Sequence, residues 1–372
     1  MKQDNIEPII QVGILTATQI TFVLNGNFIA PDDRLYTGKR LAVYRKGKIL
    51  FNGDLLEELS FEPTSNNCSF DLKDVVIGLN FHWERKENQR FRGLLKFIIE
   101  GDKLTAINEI EVEDYLTSVI SSEMSATASD ELLKAHAVIS RSWLLHPLQN
   151  QDPRTKNQDA NGKNQNLTTD FLLHTTHYIK WYERDAHTNF DVCADDHCQR
   201  FQGITKASTA AVKKAVEATR GEVLMYDNKI CDARFSKSCG GISEEFENCW
   251  APVHHPYLTK VIDNVERPFG FEIDLATEEN AEKWIRQSPD AFCNTTDKRI
   301  LSQVLNNYDQ ETTDFYRWKV EYDQTELAEI INRRSGIDVG EIVDLIPVKR
   351  GVSGRLIELK IIGTKQTVIV GK

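Results

Sequence analysis

What this chain lacks narrows its reading first. No apolar run approaches the roughly 18 to 20 residues that a bilayer-spanning helix needs, so no segment of the 372 residues reads as such a span. Positive charge is in short supply: 45 Lys and Arg face 56 Asp and Glu, a formal net charge of −11. That excludes a global field attracting nucleic acid or anionic lipid, and no cluster of basic residues interleaved with aromatics offsets it. A neutral or cationic partner is easier to accommodate. The first residues, MKQDNIEPIIQVGILTATQ, lack the basic end, continuous apolar core and small-residue cleavage site of a signal peptide. The expectation is therefore a cytoplasmic protein, or an extracytoplasmic one whose export signal has been removed. Cysteines number seven, an odd count at scattered spacing; this argues against a disulfide framework, which a chain of such length does not need. No internal repeat is visible.

Residues 1–105 read as mostly strand. Gln19–Leu24, Leu41–Tyr44, Leu55–Phe61 and Leu94–Ile99 are short, apolar and β-branched, and are mostly bounded by turn signals such as Asn25-Gly26. Lys46-Gly47-Lys48 looks like a hairpin tip. After Asn108 the texture changes. Ile110–Val119 has apolar residues at helical spacing with acids at its start, and Ser129 caps a second helix, Asp130 to about Leu145. Between the two lies a break of small and polar residues, Ser121–Ala126. Gln149–Leu167 is almost without apolar residues and reads as a solvated loop. A third helix, Ser208–Thr219, precedes Gly221, and strands at Val223–Tyr226 and Ile230–Ser236 flank an Asp227-Asn228 turn. Beyond Val261, helices (Ala281–Gln287, Thr325–Ser335) mix with strands (Trp318–Tyr322, Glu341–Val348, Gly354–Gly363, Thr367–Val370). The fold class is α+β.

Two constellations carry chemistry. Glu123 lies in the small-residue break ahead of a helix bearing Lys134 and Arg141, seven residues apart on one face. A carboxylic acid near two cations and an apolar wall can serve as general acid and base while the cations hold a polar substrate. The alternative is that Glu123 caps a helix and the cations form a solvated face. The second constellation is His187, Cys193, His197 and Cys198. Two thiolates and two imidazoles so close in sequence suit tetrahedral zinc; a structural or coincidental cluster is the alternative. His174-x2-His177, His254-His255 and the aromatics Trp83, Trp181 and Trp250 are weaker candidates. Cys239 and Cys249 read as small buried residues rather than a pair.

The run INEIEVEDYLTSVISSEMSATASDELLKAHAVISRSWLL (107–145) closely resembles the signature of the SpoIID/LytB family, the stage II sporulation protein D and amidase-enhancer proteins. Arg90–Gly93 upstream, the block from Ala218 to Leu258 with its Ser-Cys-Gly-Gly turn, and a weaker stretch from Arg317 extend the resemblance over roughly 90–370. It implies one such domain over 90–372, with residues 149–205 inserted and a β-rich region, 1–89, ahead of it. It further implies a peptidoglycan lytic transglycosylase cutting between MurNAc and GlcNAc in peptide-free glycan strands, with Glu123 as the catalytic acid. A lone carboxyl group suffices, because the sugar's own C6 hydroxyl attacks C1 to leave a 1,6-anhydro end, without the usual carboxylate pair. Tyr115, Lys134, Arg141, Ser238, Gly240 and Gly241 match positions that line the cleft, and a His/Cys zinc site, here His187, Cys193, His197 and Cys198, is expected to be structural. The competing reading is a non-catalytic wall-binding module that stimulates a cell-wall amidase. This chain departs from the family pattern at Ser125, His136 and Trp143, where Pro, Gln and Tyr are expected.

Overall fold

The computed structural model describes residues 7–78, 84–149, 165–170, 175–181, 187–205, 208–265, 273–305 and 315–371. The chain is α+β, as expected, and divides into two compact units: one of 1–150, 186–233 and 302–308, the other of 151–185, 234–301 and 309–372.

The first unit is built on a sheet whose strands are β1 (Ile9–Ala17), β2 (Gln19–Ile29), β3 (Leu35–Arg45), β4 (Lys48–Phe51), β5 (Asp54–Leu56), β6 (Leu59–Pro63), β7 (Ser69–Ile77), β8 (Arg85–Phe91), β9 (Leu94–Glu100) and β10 (Lys103–Glu111), closed at one end by β13 (Val192–Cys193). Alternating burial along β2 (Ile20, Phe22 and Leu24 inside) is the period-2 signature of a half-buried strand. The inward positions meet in an aromatic core: Phe22 lies 5.0 Å from Phe97 and 5.3 Å from Phe61, ring to ring, the tilted spacing that aromatic pairs favour. The hairpin tip falls where the sequence places it, since Arg45 pairs with Lys48 and both Lys46 (φ 51°) and Gly47 (φ 79°) are left-handed, the two-residue turn that matches strand twist.

Some expectations shift. Asn25-Gly26 is not a turn: it lies within β2, where the register slips between Leu24 and Phe28, and Gly26 backs onto Cys68, whose sulfur would sit 2.7 Å from an added Cβ. Leu55–Phe61 splits between β5 and β6. The boundary expected at 89/90 falls inside β8, because β8–β10 pair with the earlier strands.

Three helices complete this unit: α1 (Val112–Glu123), α2 (Asp130–Gln149) and α3 (Ala210–Ala218). α1 begins two residues later than its periodicity suggests, because Ile110 and Glu111 still pair with β1. It also runs through Ser121 and Ser122 to Glu123, so the break is confined to 124–129. Ser129 caps α2 as expected, its Oγ accepting from Leu132 N–H at 3.4 Å. Thr209 caps α3. β14 (Met225–Tyr226) and β15 (Lys229–Ile230) form a short hairpin over Asp227 and Asn228, both left-handed.

In the second unit, β11 (Gln165–Asp170), β12 (Thr175–Lys180), β18 (Thr367–Gly371), β17 (Leu356–Gly363) and β16 (Ile342–Arg350) form a sheet in that order. Gln165–Leu167, read as loop, is thus strand, while 150–164 lie outside the described residues. Two helices of this unit are α4 (Glu278–Arg286) and α6 (Gln324–Ser335), and α5 (Lys298–Val304) lies between them in sequence. α6 is capped by Asp323 and ended by left-handed Gly336; its Leu327, Ala328 and Ile331 pack on a core of Val339, Ile342, Ile361 and Val368. Trp318–Tyr322, expected as strand, is irregular, with Trp318 75 % exposed.

Candidate active site and metal cluster

Leu116, Val119 and Ile120 form the buried stripe of α1, the spacing of an amphipathic helix facing a core. The same face continues to Glu123, which is half-buried at the end of the helix. The Glu123 carboxylate accepts a hydrogen bond from the backbone N–H of Arg200, 2.7 Å from Oε1.

Arg200 is held there by its neighbours, each tied to α1 or α2. Gln199 Oε1 accepts from the Tyr115 hydroxyl at 3.3 Å and its Nε2 donates to the Ser140 carbonyl. Phe201 stacks on Tyr115 with ring centroids 5.0 Å apart. Gln202 N–H donates to Ser118 Oγ at 3.2 Å. The Arg200 side chain turns away to a two-point ion pair with Asp196, at 3.0 and 2.9 Å.

Immediately upstream, His187, Cys193, His197 and Cys198 converge. Cys198 Sγ lies 3.4 Å from His187 Nε2 and 3.5 Å from His197 Nδ1; Cys193 Sγ lies 3.8 Å from His197 Nδ1. All four ligand atoms fall within 4.8 Å of one another. Ligands on a tetrahedral zinc, at about 2.0 to 2.3 Å from the ion, stand roughly 3.3 to 3.8 Å apart, so the donor set fits such an ion in both chemistry and span. The Cys193 thiol is pulled far below its ordinary range, first by Cys198 and then by the two imidazoles, against the opposing effect of burial. β13 anchors the cluster by parallel pairing with β1, Gly13 opposite Cys193. Phe190 stacks on His187 at 4.5 Å, and its ring covers Gly13 so closely that a Cβ there would lie 2.6 Å from it.

Along α1 and α3 runs a cleft of about 490 Å³, lined among others by Asp114, Ser118, Phe201, Lys213 and Arg220. Glu123 is not among its lining residues.

Residues 100–226 match the family described as stage II sporulation protein, a span that holds all three helices, Glu123 and the four His and Cys residues. This is a SpoIID domain. Residues 244–372 match a separate family, described as a domain of unknown function (DUF8618). The chain is 29 % identical over 168 residues to an uncharacterized protein of Brachyspira hyodysenteriae, covering 45 % of this chain and 36 % of that one. It is 26 % and 24 % identical over 156 residues to the stage II sporulation protein D of Bacillus amyloliquefaciens and of Bacillus subtilis, covering 42 % of this chain and 39 % of each. The chain thus spans well under half the length of these relatives.

Within the SpoIID domain, the other expected site residues take different places. Arg141 is 1 % exposed. Its guanidinium grips Glu113 at 2.9 and 2.5 Å and donates to the Glu222 carbonyl at 3.0 Å, while Gly221 N–H donates to the same Glu113. It therefore ties α1, α2 and the turn after α3 together. Tyr115 is fully buried. Lys134 stands on the exposed side of α2, paired with Glu131 at 2.9 Å. The resemblance assigns these three to the cleft wall; in this structure two are packed inside and the third is paired along its own helix.

Ser238, Gly240 and Gly241 belong to the second unit, outside the SpoIID domain. Both glycines are left-handed (φ 67° and 99°), a conformation that favours glycine; a Cβ on Gly241 would meet the Tyr316 hydroxyl at 2.7 Å. Gly240 O accepts from Arg317 at 3.0 Å and Ser238 Oγ reaches Phe315 O at 3.5 Å. Among the weaker candidates, His177 lies in β12, His254 pairs with Glu247 at 2.7 Å, and Arg234 lies 4.5 Å over the Trp250 ring. His174 and Trp83 lie outside the described residues. Cys239 faces Cys293 rather than Cys249.

Sequence reasoning missed Glu113, Gln199, Arg200 and Phe201. Glu113 and Arg141 were visible as a buried-pair candidate only through their polar placement on two apolar helices. Arg200 acts through its main chain, which leaves no trace in residue type.

Proposed function

We propose that the chain acts on the glycan strands of bacterial peptidoglycan as a lytic transglycosylase, with Glu123 as its general acid and base. The supporting observation is the fixed Glu123 carboxylate, whose Oε1 takes the Arg200 N–H at 2.7 Å, a bond that orients the group at the end of α1. In this reading Glu123 protonates the oxygen leaving C1 of MurNAc and then, as carboxylate, accepts the proton of the C6 hydroxyl that closes the 1,6-anhydro ring. Such positioning matters because proton transfer needs heavy atoms within about 3 Å.

Zinc belongs to the same proposal. His187, Cys193, His197 and Cys198 would hold it, all four positions being protein ligands, which makes the ion a structural clamp. Its work is local. Cys198 lies two residues before Arg200, so the clamp would fix the segment that orients Glu123. The setting implied is the cell envelope.

A second reading draws on the burial of Tyr115 and Arg141, which leaves fewer side chains to grip substrate: a wall-binding module that stimulates a cell-wall amidase. Incubation with peptide-free glycan and mass spectrometry separates the two. The transglycosylase releases 1,6-anhydro products, and Glu123→Gln abolishes them while retaining binding. Glycan binding without product, together with faster turnover by an added amidase, would instead establish the module.

A further inference from the structure

The sequence gives no spacing motif for Cys239, Asp263 and Cys293, yet the second unit brings them together. Cys239 and Cys293 stand with sulfurs 3.8 Å apart, and all three ligand atoms fall within 4.8 Å. We propose that Cys239, Asp263 and Cys293 form a second metal site, outside the SpoIID domain, that takes a divalent cation of the zinc class.

Two thiolates on one tetrahedral zinc, each about 2.3 Å from the ion, leave their sulfurs about 3.8 Å apart, the separation found here. Softness agrees, since paired sulfurs with a carboxylate favour zinc over magnesium or calcium.

The backbone shows that the cluster is built rather than accidental. Asp263 N–H donates to Gly241 O at 3.0 Å and Phe292 N–H to Asp263 O at 2.9 Å, stitching three separate stretches of chain together. The Asp263 carboxylate is oriented by Cys293 N–H at 2.9 Å through Oδ2, leaving Oδ1 for an ion. Supporting bonds of this kind aim ligands in metal sites.

The two sulfurs and the Asp263 carboxylate are half-buried together. A divalent cation would satisfy all three. Arg355 does not serve that purpose, since its guanidinium bonds the carbonyl oxygens of Cys239 and Ile242. With three protein ligands among the described residues, a fourth position is left to water or to an oxygen-bearing ligand, beside the Gly240-Gly241 turn.

The test is metal analysis of the full chain, purified under reductant without added metal. Cys239→Ser should lose about one metal per chain relative to the native protein, and Asp263→Asn should weaken binding at least roughly tenfold. In a Cys193→Ser/Cys198→Ser background, added cobalt should give a thiolate-to-cobalt absorption band that vanishes with Cys239→Ser. If these variants fail to fold, alkylation of the native chain answers: zinc should protect Cys239 and Cys293 from modification. Equal metal content in native and folded Cys239→Ser protein, no protection by zinc, or a Cys239–Cys293 disulfide in the reduced preparation would each overturn the proposal. None of these readouts depends on glycan cleavage.

Discussion

At the scale of single residues, Glu123 and Gly13 make opposite demands on the chain. In the proposed reaction Glu123 serves as the acid while the Arg200 N–H holds its Oε1. Removing the acid as Glu123→Gln keeps the shape and the hydrogen-bond acceptor, so glycan binding should survive while product release falls by about 10² to 10⁴, the usual share of general acid catalysis; quantitative mass spectrometry of 1,6-anhydro ends checks this. Gly13 has no chemistry, only absence of a side chain. A methyl there would drive into the Phe190 ring at 2.6 Å, and overpacking of this kind costs about 1 to 3 kcal/mol. Gly13→Ala should therefore lower the denaturation midpoint and, because Phe190 backs His187, weaken metal retention. Glu123 stood out in the sequence through its motif, as did the four His and Cys residues through their crowding. Gly13 did not, because its partner ring lies far away along the chain and nothing in an isolated glycine announces what covers it.

Between elements, charge is used in two ways. Glu113 of α1 and Arg141 of α2 are a buried pair with guanidinium and carboxylate fully engaged. Arg141→Met leaves Glu113 buried and uncompensated, which should destabilise the fold by about 3 to 5 kcal/mol. The double replacement Glu113→Gln/Arg141→Met should cost less than the single one, as urea unfolding of the two variants would show. Asp71 and Arg90 pair across β7 and β8 at 2.6 Å near the surface, and Arg90 chiefly lowers the Asp71 pKa from its ordinary value. A carboxyl lowered on folding contributes stability that is present above its unfolded pKa of about 3.9 and is lost as pH falls below that. The stability gap between native protein and Asp71→Asn should hold constant from pH 7 to about 5 and close below about 4; denaturation curves taken across that range measure it. Helices and most strands were legible here because period and caps are local. The parallel pairing of β13 with β1 was not: two residues carry too little pattern to name a partner, and the β11–β12 hairpin was hidden in a polar stretch whose strand character comes from its neighbours in the sheet.

For the whole molecule, the important link is between the His/Cys cluster and the end of α1. From Cys198 to Gln202 every step is tied down: Gln199 to Tyr115 and Ser140, Arg200 to Glu123, Phe201 onto Tyr115, Gln202 to Ser118. If an ion clamps His187, Cys193, His197 and Cys198, its loss frees one end of this segment, while Phe201 keeps the other end seated by apolar burial. The consequence is graded rather than global. A chelator should raise hydrogen exchange at the Arg200 amide, which donates to the Glu123 carboxylate, more than at the Phe201 amide, which donates into the Ala194 carbonyl of the same loop at 3.0 Å. The strands of the first unit, stabilised by the Phe22, Phe61 and Phe97 core, should keep their protection. Exchange mass spectrometry with and without chelator reads all three regions at once. Uniform deprotection would mean that the ion supports the entire unit, and no change at Arg200 would mean that the cluster does not position the acid.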